Sequence, residues 1–258
     1  MELRQHLRAS RGSPRRLAAA LMVGMLLTAC ASASANRPAA SSGASGSAEP
    51  IPSAQPTDTV APLVDPQLDL RAGPVAVPLE LQISRLHLSA AVLGVGINPS
   101  NVMDTPTGRA TDPVWRTAFW YRGSGAPGEA GTATIAGHVD DVLGRPAIFA
   151  HLSDLRPGDP IVIRDKRTGL DLPYVVTETA VYTLRQTLDP AILTKIYGPG
   201  PVSGQGPLES VDGLAHLTLI TCTGHWLNGS GTYDHRLAVY AVMTPASSQA
   251  LDRRASLR

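Results

Sequence analysis

The sequence predicts an all-β domain with a few short helical turns, its strands closing or nearly closing into a barrel. Three features carry that prediction. Apolar and polar residues alternate with a period of two in two early runs, short β-branched runs recur across residues 75–246, and turn-forming Gly, Pro, Asn and Asp clusters separate them. Many short strands with frequent reversals fit a barrel better than an α/β sheet, which needs long helices between its strands.

In chain order, Leu79, Leu81 and Ile83 alternate with Glu80 and Gln82, and Leu86-His87-Leu88-Ser89-Ala90 continues the period. Thr132–Ala136 (TATIA), Pro160–Arg164 (PIVIR), Tyr174–Thr179 (YVVTET), Leu217–Thr221 (LTLIT) and Arg236–Met243 (RLAVYAVM) are the further strand candidates. No proline interrupts the centre of these runs. Reversals are expected at Ala126-Pro127-Gly128, Pro157-Gly158-Asp159, Thr168-Gly169 and Asn228-Gly229. Ala147–Leu155 and Pro190–Ile196 read as short helical turns. Gly198–Gly206 (GPGPVSGQG) reads as a loose loop, either flanking a groove ahead of the strand that leads to Cys222 or idle in solvent.

The ends do not belong to the barrel. Residues 1–29 have the form of an export signal: Arg4, Arg8, Arg11, Arg15 and Arg16 precede the uncharged run Leu17–Ala29, which is shorter than the roughly 20 apolar residues a membrane-spanning helix needs. The run closes on Leu27-Thr28-Ala29-Cys30, which resembles the lipobox of bacterial lipoproteins. That resemblance implies a diacylglycerol on Cys30 and attachment to the outer face of the cell membrane, two acyl chains being enough for stable anchoring. An ordinary cleaved signal that discards Cys30 is the alternative. Residues 30–74 are dominated by Ala, Ser, Pro and Gly and read as a tether, with a coil reach of roughly 35 Å for about 40 residues. Residues 247–258 form a basic tail. With a formal net charge of only +1, much of its basic excess lying in the signal and the tail, the chain has no basic face for nucleic acid.

Of the two cysteines, Cys222 is then left alone in an oxidising compartment, where unpaired thiols need a reason. It closes the strand His216–Thr221 and is followed at once by Thr223-Gly224, a position at once rigid and reachable; an inert buried cysteine fits the same position. His138 stands at the end of a second strand, in Ile135-Ala136-Gly137-His138, and is either a proton-transfer group or a packed side chain. Arg236 opens the last strand and offers fixed donors for a carbonyl or oxyanion, or an ordinary surface pair with Asp234. His216, Cys222, His225 and His235 lie close in sequence, but Cys222-x-x-His225 supplies only part of a zinc ligand set. Asp140 and Asp141 alone do not make a calcium loop, so no metal and no cofactor is expected.

Together these segments resemble the sortase family. Thr218-Leu219-Ile220-Thr221-Cys222 matches its TLxTC motif, Arg236 begins a strand at the spacing the family leads one to expect, and Ala136-Gly137-His138 is similar to its histidine segment. Gly128–Asp140 is similar to the actinobacterial class E and F sortases, class F above all. The resemblance spans Leu79–Val242. It implies an eight-stranded closed β-barrel and a cysteine transpeptidase of the thiol-peptidase type that cleaves an LPXTG-like C-terminal sorting signal on secreted proteins. The acyl group would pass through a thioacyl enzyme to an amine of cell-wall precursor or of a pilin-like protein. By the same resemblance Cys222 is the nucleophile, His138 the acid and base, Arg236 the holder of the oxyanion, and Thr221 a contributor to the oxyanion site or to peptide orientation. Two departures stand out: Thr223-Gly224-His225-Trp226 follows the cysteine, and a lipobox replaces the usual N-terminal membrane helix. A hydrolytic cysteine peptidase on the same fold and a non-catalytic wall-binding lipoprotein are the competing readings.

Overall fold

The structure, a computed structural model, describes residues 62–244. The export segment, Cys30, the tether as far as residue 61 and the C-terminal tail lie outside the described residues.

Eight strands close a barrel: β1 (Val75–Ile83), β2 (Leu88–Val95), β3 (Ala118–Tyr121), β4 (Gly131–Ala136), β5 (Pro160–Asp165), β6 (Leu170–Thr183), β7 (Ala215–Leu227) and β8 (Thr232–Met243). Around the barrel the order is β1-β2-β3-β4-β7-β8-β6-β5, with β2/β3 and β4/β7 parallel and the other pairs antiparallel. A closed sheet has no free edge, so every strand finds both neighbours.

Alternation along the strands sorts the side chains into two apolar layers. The barrel interior holds Leu79, Leu81, Ile83, Ala133, Ile135, Leu217, Leu219, Leu237 and Val239. A second cluster on the outside joins Phe119, Ala136, Ile220, Ala238 and Tyr240 to Ile196 of the one α-helix among the described residues, α1 (Pro190–Tyr197). That helix starts where Asp189 caps it, accepting from the Ala191 N–H at 2.8 Å with Pro190 in the first turn, and it stops at Gly198, whose φ is 82°. Coverage from outside explains why β3 escapes a period-of-two reading. Its residues Ala118-Phe119-Trp120-Tyr121 are apolar in sequence on both faces because Ala118 and Trp120 face the interior while Phe119 faces the helix-covered layer.

Other boundaries differ from the sequence expectation for local reasons. The run from Leu86 is broken: Ser84–Leu86 form a 3₁₀ turn and His87 takes a left-handed φ of 50°, so β2 begins only at Leu88. Pro78 sits inside β1, where the pairing register slips between Ala76 and Glu80, and Pro173 sits inside β6. Ala147–Leu155 contributes a single 3₁₀ turn at Leu152–Asp154.

The fold also takes in residues that composition assigns to the tether. Leu63 and Val64 pack on the interior cluster, the Ile97 N–H donates to the Leu70 carbonyl at 2.8 Å, and buried Arg122 donates to the carbonyls of Asp69 and Ala72. Gly96 is required by that crossing, since a Cβ there would fall 1.6 Å from the Leu70 oxygen.

Candidate active site

Register brings the three predicted side chains together. On β4 and β7 the parallel pairing runs through Ala136 opposite Ile220, and the Gly137 N–H donates to the Ile220 carbonyl at 3.1 Å just beyond it. The ladder ends there, and two residues further along each chain His138 and Cys222 line the same groove. On β7 and β8 the antiparallel pairing sets Cys222 directly opposite Arg236. Parity then fixes the face. Ala136, Ile220 and Ala238 all belong to the outer cluster, and His138, Cys222 and Arg236 each lie two residues from one of them on the same side of the sheet. One groove of about 730 Å³ is lined by all three.

The strand ends differ from expectation. β7 does not stop at Cys222 but continues to Leu227, with a register slip between Thr223 and Trp226 where Gly224 adopts a φ of 92°. β8 likewise begins at Thr232, so Arg236 lies within the strand and not at its start. The thiol is thus held inside a hairpin, beside a bulge, which is a stiffer mounting than a loop.

Cys222 is a free thiol, partly buried. Burial pushes its pKa up, and the Arg236 guanidinium is the largest influence in the other direction; the Asp140 carboxylate adds to the rise. The sulfur is therefore protonated at neutral pH, and its attack on a carbonyl needs a proton acceptor. His138 is braced for that position. Its ring lies 4.7 Å from the Trp115 ring and 5.6 Å from Phe119, and its Nε2 donates to the Pro106 carbonyl at 2.8 Å. A carbonyl only accepts, so Nε2 carries hydrogen there and Nδ1 is the nitrogen left to exchange a proton.

Arg236 donates through Nη1 to the carbonyls of Tyr233 and His235 and through Nη2 to the Thr232 hydroxyl, all at 2.9 Å. Three of its five N–H donors are used on its own hairpin, which leaves charge and donors for a ligand. The pairing with Asp234 considered from sequence does not form: that carboxylate binds His235 Nδ1 at 2.7 Å and lies 3.6 Å from His225. His225 itself is almost fully exposed, with Nδ1 3.6 Å from the Asp234 carboxylate.

Thr221 differs from its expected role. It has the parity of the interior residues Leu217 and Leu219, and its buried hydroxyl donates to the Gly137 carbonyl at 2.8 Å. Its one proton is spent on the β4 backbone, so it holds the histidine segment to the cysteine strand and has none left for an oxyanion.

Two groove residues escaped the sequence reading in whole or part. Asp140 accepts a short hydrogen bond from the Tyr233 hydroxyl, which ties the segment after His138 to the β7–β8 hairpin and pushes the phenol up to about 12. Tyr233 stacks edge-on against Trp226 at 5.3 Å. The legible signal for Asp140 was its spacing: two residues beyond His138, hence on the same face. Tyr233 had no such signal.

A second, more apolar depression of about 560 Å³ continues from the site past Arg236 and Ile220, walled by Leu188, Leu193 and Tyr197 of the β6–β7 connection. Pro201 and Val202 of the Gly- and Pro-rich loop also border this second depression, while no residue of that loop lines the groove that holds Cys222.

Among solved structures, the chain is similar to a lid mutant of sortase A from Corynebacterium diphtheriae (21% identity, 68% of this chain and 73% of that one, TM-score 0.43). It is similar also to sortase C-1 from Actinomyces oris (19%, 65% and 73%, TM-score 0.41) and to a sortase D5 transpeptidase from Clostridium perfringens (18%, 65% and 78%, TM-score 0.42). No curated protein sequence matches it. The family model of the sortase domain matches residues 81–244, which is well over half of the chain and takes in His138, Thr221, Cys222 and Arg236. With a closed eight-stranded barrel and a cysteine site on its outer face, the chain belongs to the sortase family of cysteine transpeptidases.

Proposed function

We propose that the protein cleaves an LPXTG-like sorting signal on exported proteins and transfers the acyl part to an amine of cell-wall precursor or of another surface protein. The observation that carries this reading is the one groove lined by His138, Cys222 and Arg236, with Arg236 paired directly opposite Cys222 across β7 and β8. The Cys222 sulfur attacks the threonine carbonyl, a C–S bond forms, and the C–N bond breaks as His138 gives a proton to the leaving amine. In the second half an acceptor amine attacks the thioester, the C–S bond breaks, and His138 takes the amine proton. Arg236 steadies the carbonyl oxygen while it bears negative charge. The apolar depression beside Arg236 suits the apolar residues of the signal that precede the threonine.

The finer assignment is to a class F-like enzyme, supported by the segment Gly128–Asp140. The export signal and the lipobox at Cys30 support placement on the outer face of the membrane, held by lipid. Mass spectrometry after incubation with a panel of LPXTG-like peptides tests the reaction: a thioacyl adduct on Cys222 is expected, lost in Cys222→Ala with the fold retained. No adduct across the panel overturns the proposal. Metabolic labelling with a radiolabelled fatty acid tests the anchor, with incorporation expected for the wild type and none for Cys30→Ala.

A further inference from the structure

The Asp140 carboxylate sits where it works against the first half of the reaction. It lines the groove with Cys222 and His138. Its negative charge raises the thiol's pKa, which reduces the thiolate available for attack. Its neighbour Asp141 is neutralised by Arg145 at 2.6 Å. Asp140 has no such partner: among the described residues no Lys, Arg or His lies within ion-pair distance of it, and the one group bonded to its side chain is the neutral Tyr233 hydroxyl on Oδ2. The phenol holds the carboxylate in place without cancelling its charge, and Trp226, about half exposed, backs the phenol.

A carboxylate that disfavours a thiolate favours a cation. Once the acyl enzyme has formed, sulfur is part of an uncharged thioester, so the repulsion vanishes while the attraction for an incoming ammonium remains. Position agrees with timing. His138, the group that exchanges protons with amines in the proposed reaction, lines only the half of the groove that contains Asp140, whereas the apolar half on the other side of Arg236 contains neither. The amine side of the scissile bond is therefore the Asp140 side.

We propose that Asp140, held by Tyr233, is the docking point for the positively charged amine of the acceptor substrate. This rests on the transfer reading above. The ammonium binds at the carboxylate and loses a proton to His138. The free amine attacks the thioester carbon, a C–N bond forms, the C–S bond breaks, and Cys222 leaves with a proton, so that one proton is released overall. Because the carboxylate also holds the amine in its charged form, Asp140 governs capture and His138 governs activation.

Asp140→Asn is the informative variant, since an amide oxygen still accepts the Tyr233 bond while the charge is gone. Thioacyl-enzyme formation from a sorting-signal peptide, followed by mass spectrometry, is expected to be faster than in the wild type. Transfer to triglycine, and to an N-acetylated peptide whose one amine is a lysine side chain, is expected to show KM raised roughly 5- to 10-fold, the scale of a half-buried ion pair. Transfer to hydroxylamine, uncharged at neutral pH, is expected to keep its KM. Added salt should raise the KM of the cationic amines in the wild type and leave it flat in the variant. Equal effects on charged and uncharged nucleophiles, or a salt response retained in Asp140→Asn, would falsify the assignment. Absence of any thioacyl adduct in the wild type instead overturns the transfer reading beneath it.

Discussion

The Thr221 hydroxyl donates to the Gly137 carbonyl at 2.8 Å, one residue before the thiol on β7 and one residue before the imidazole on the β4 side. The two parallel strands that carry the reacting groups are thereby pinned to each other from the interior face, while the groups themselves project from the exterior face.

Thr221→Val removes that donor while keeping the shape. It is expected to cost about 1–3 kcal/mol, the range for withdrawing a partner from a buried polar group, and to lower the rate of thioacyl formation. Thr221→Ser, which keeps the hydroxyl, should restore most of both. Urea titration together with the adduct assay checks this, and a valine variant with unchanged acylation would show that the pin does not position His138.

Gly137 has no room for a side chain: a Cβ would come 2.5 Å from the Phe149 ring. The Phe149 N–H also donates to the His138 carbonyl at 2.9 Å, so moving the ring moves the histidine. Gly137→Ala is expected to lose about 1–3 kcal/mol by overpacking and at least tenfold in acylation, a penalty of about 1.4 kcal/mol in the barrier. Paired trimming, Gly137→Ala with Phe149→Leu, should recover part of the activity in the same assay.

The pH dependence of Cys222 follows from its surroundings. Burial raises the thiol's pKa and Arg236 opposes the rise, so alkylation by iodoacetamide should climb with pH and reach half its maximum above the ordinary thiol value of about 8.5. Arg236→Gln removes the opposing charge and should shift that midpoint higher still. A midpoint near or below neutral in the wild type, or a downward shift in the variant, would contradict the electrostatics described for the site.

Glu80 accepts bonds from Lys166, Ser89 and Gln82, which hold its carboxyl down at about 2, Lys166 contributing most. A carboxyl depressed in the folded state stabilises the fold above its unfolded pKa of about 4.3, and that contribution fades as the pH falls through about 2. Glu80→Gln should therefore lower Tm by about 2–4 °C at pH 7, the effect of losing about 1 kcal/mol in a domain of this size, and by almost nothing at pH 2. Thermal melts at stepped pH check the convergence.

Local sequence determined much of this protein. Period-two alternation and β-branched runs marked most of the strands, Pro190–Ile196 marked the helix, and the residues around Cys222, His138 and Arg236 stood out by type and by neighbours before any fold was known. Those signals are local because they depend on one residue's backbone preference or on side chains two to four positions apart. Strand β3 did not show itself because a strand covered on both faces loses the alternation that betrays it. Residues 62–74 gave no sign of joining the fold, since their carbonyls bond to the distant Ile97 N–H and Arg122 guanidinium and their two packed apolar residues, Leu63 and Val64, form no periodic run.

Only the tertiary structure decided what Thr221 does, that Cys222 lies within a strand beside a bulge, that Arg236 is free of Asp234, and that Asp140 shares the groove with the thiol. Each of these depends on which strand lies beside which, and at what register. A one-residue slip of β7 against β4 would leave the sequence untouched, turn Cys222 toward the barrel interior and send Thr221 outward in its place.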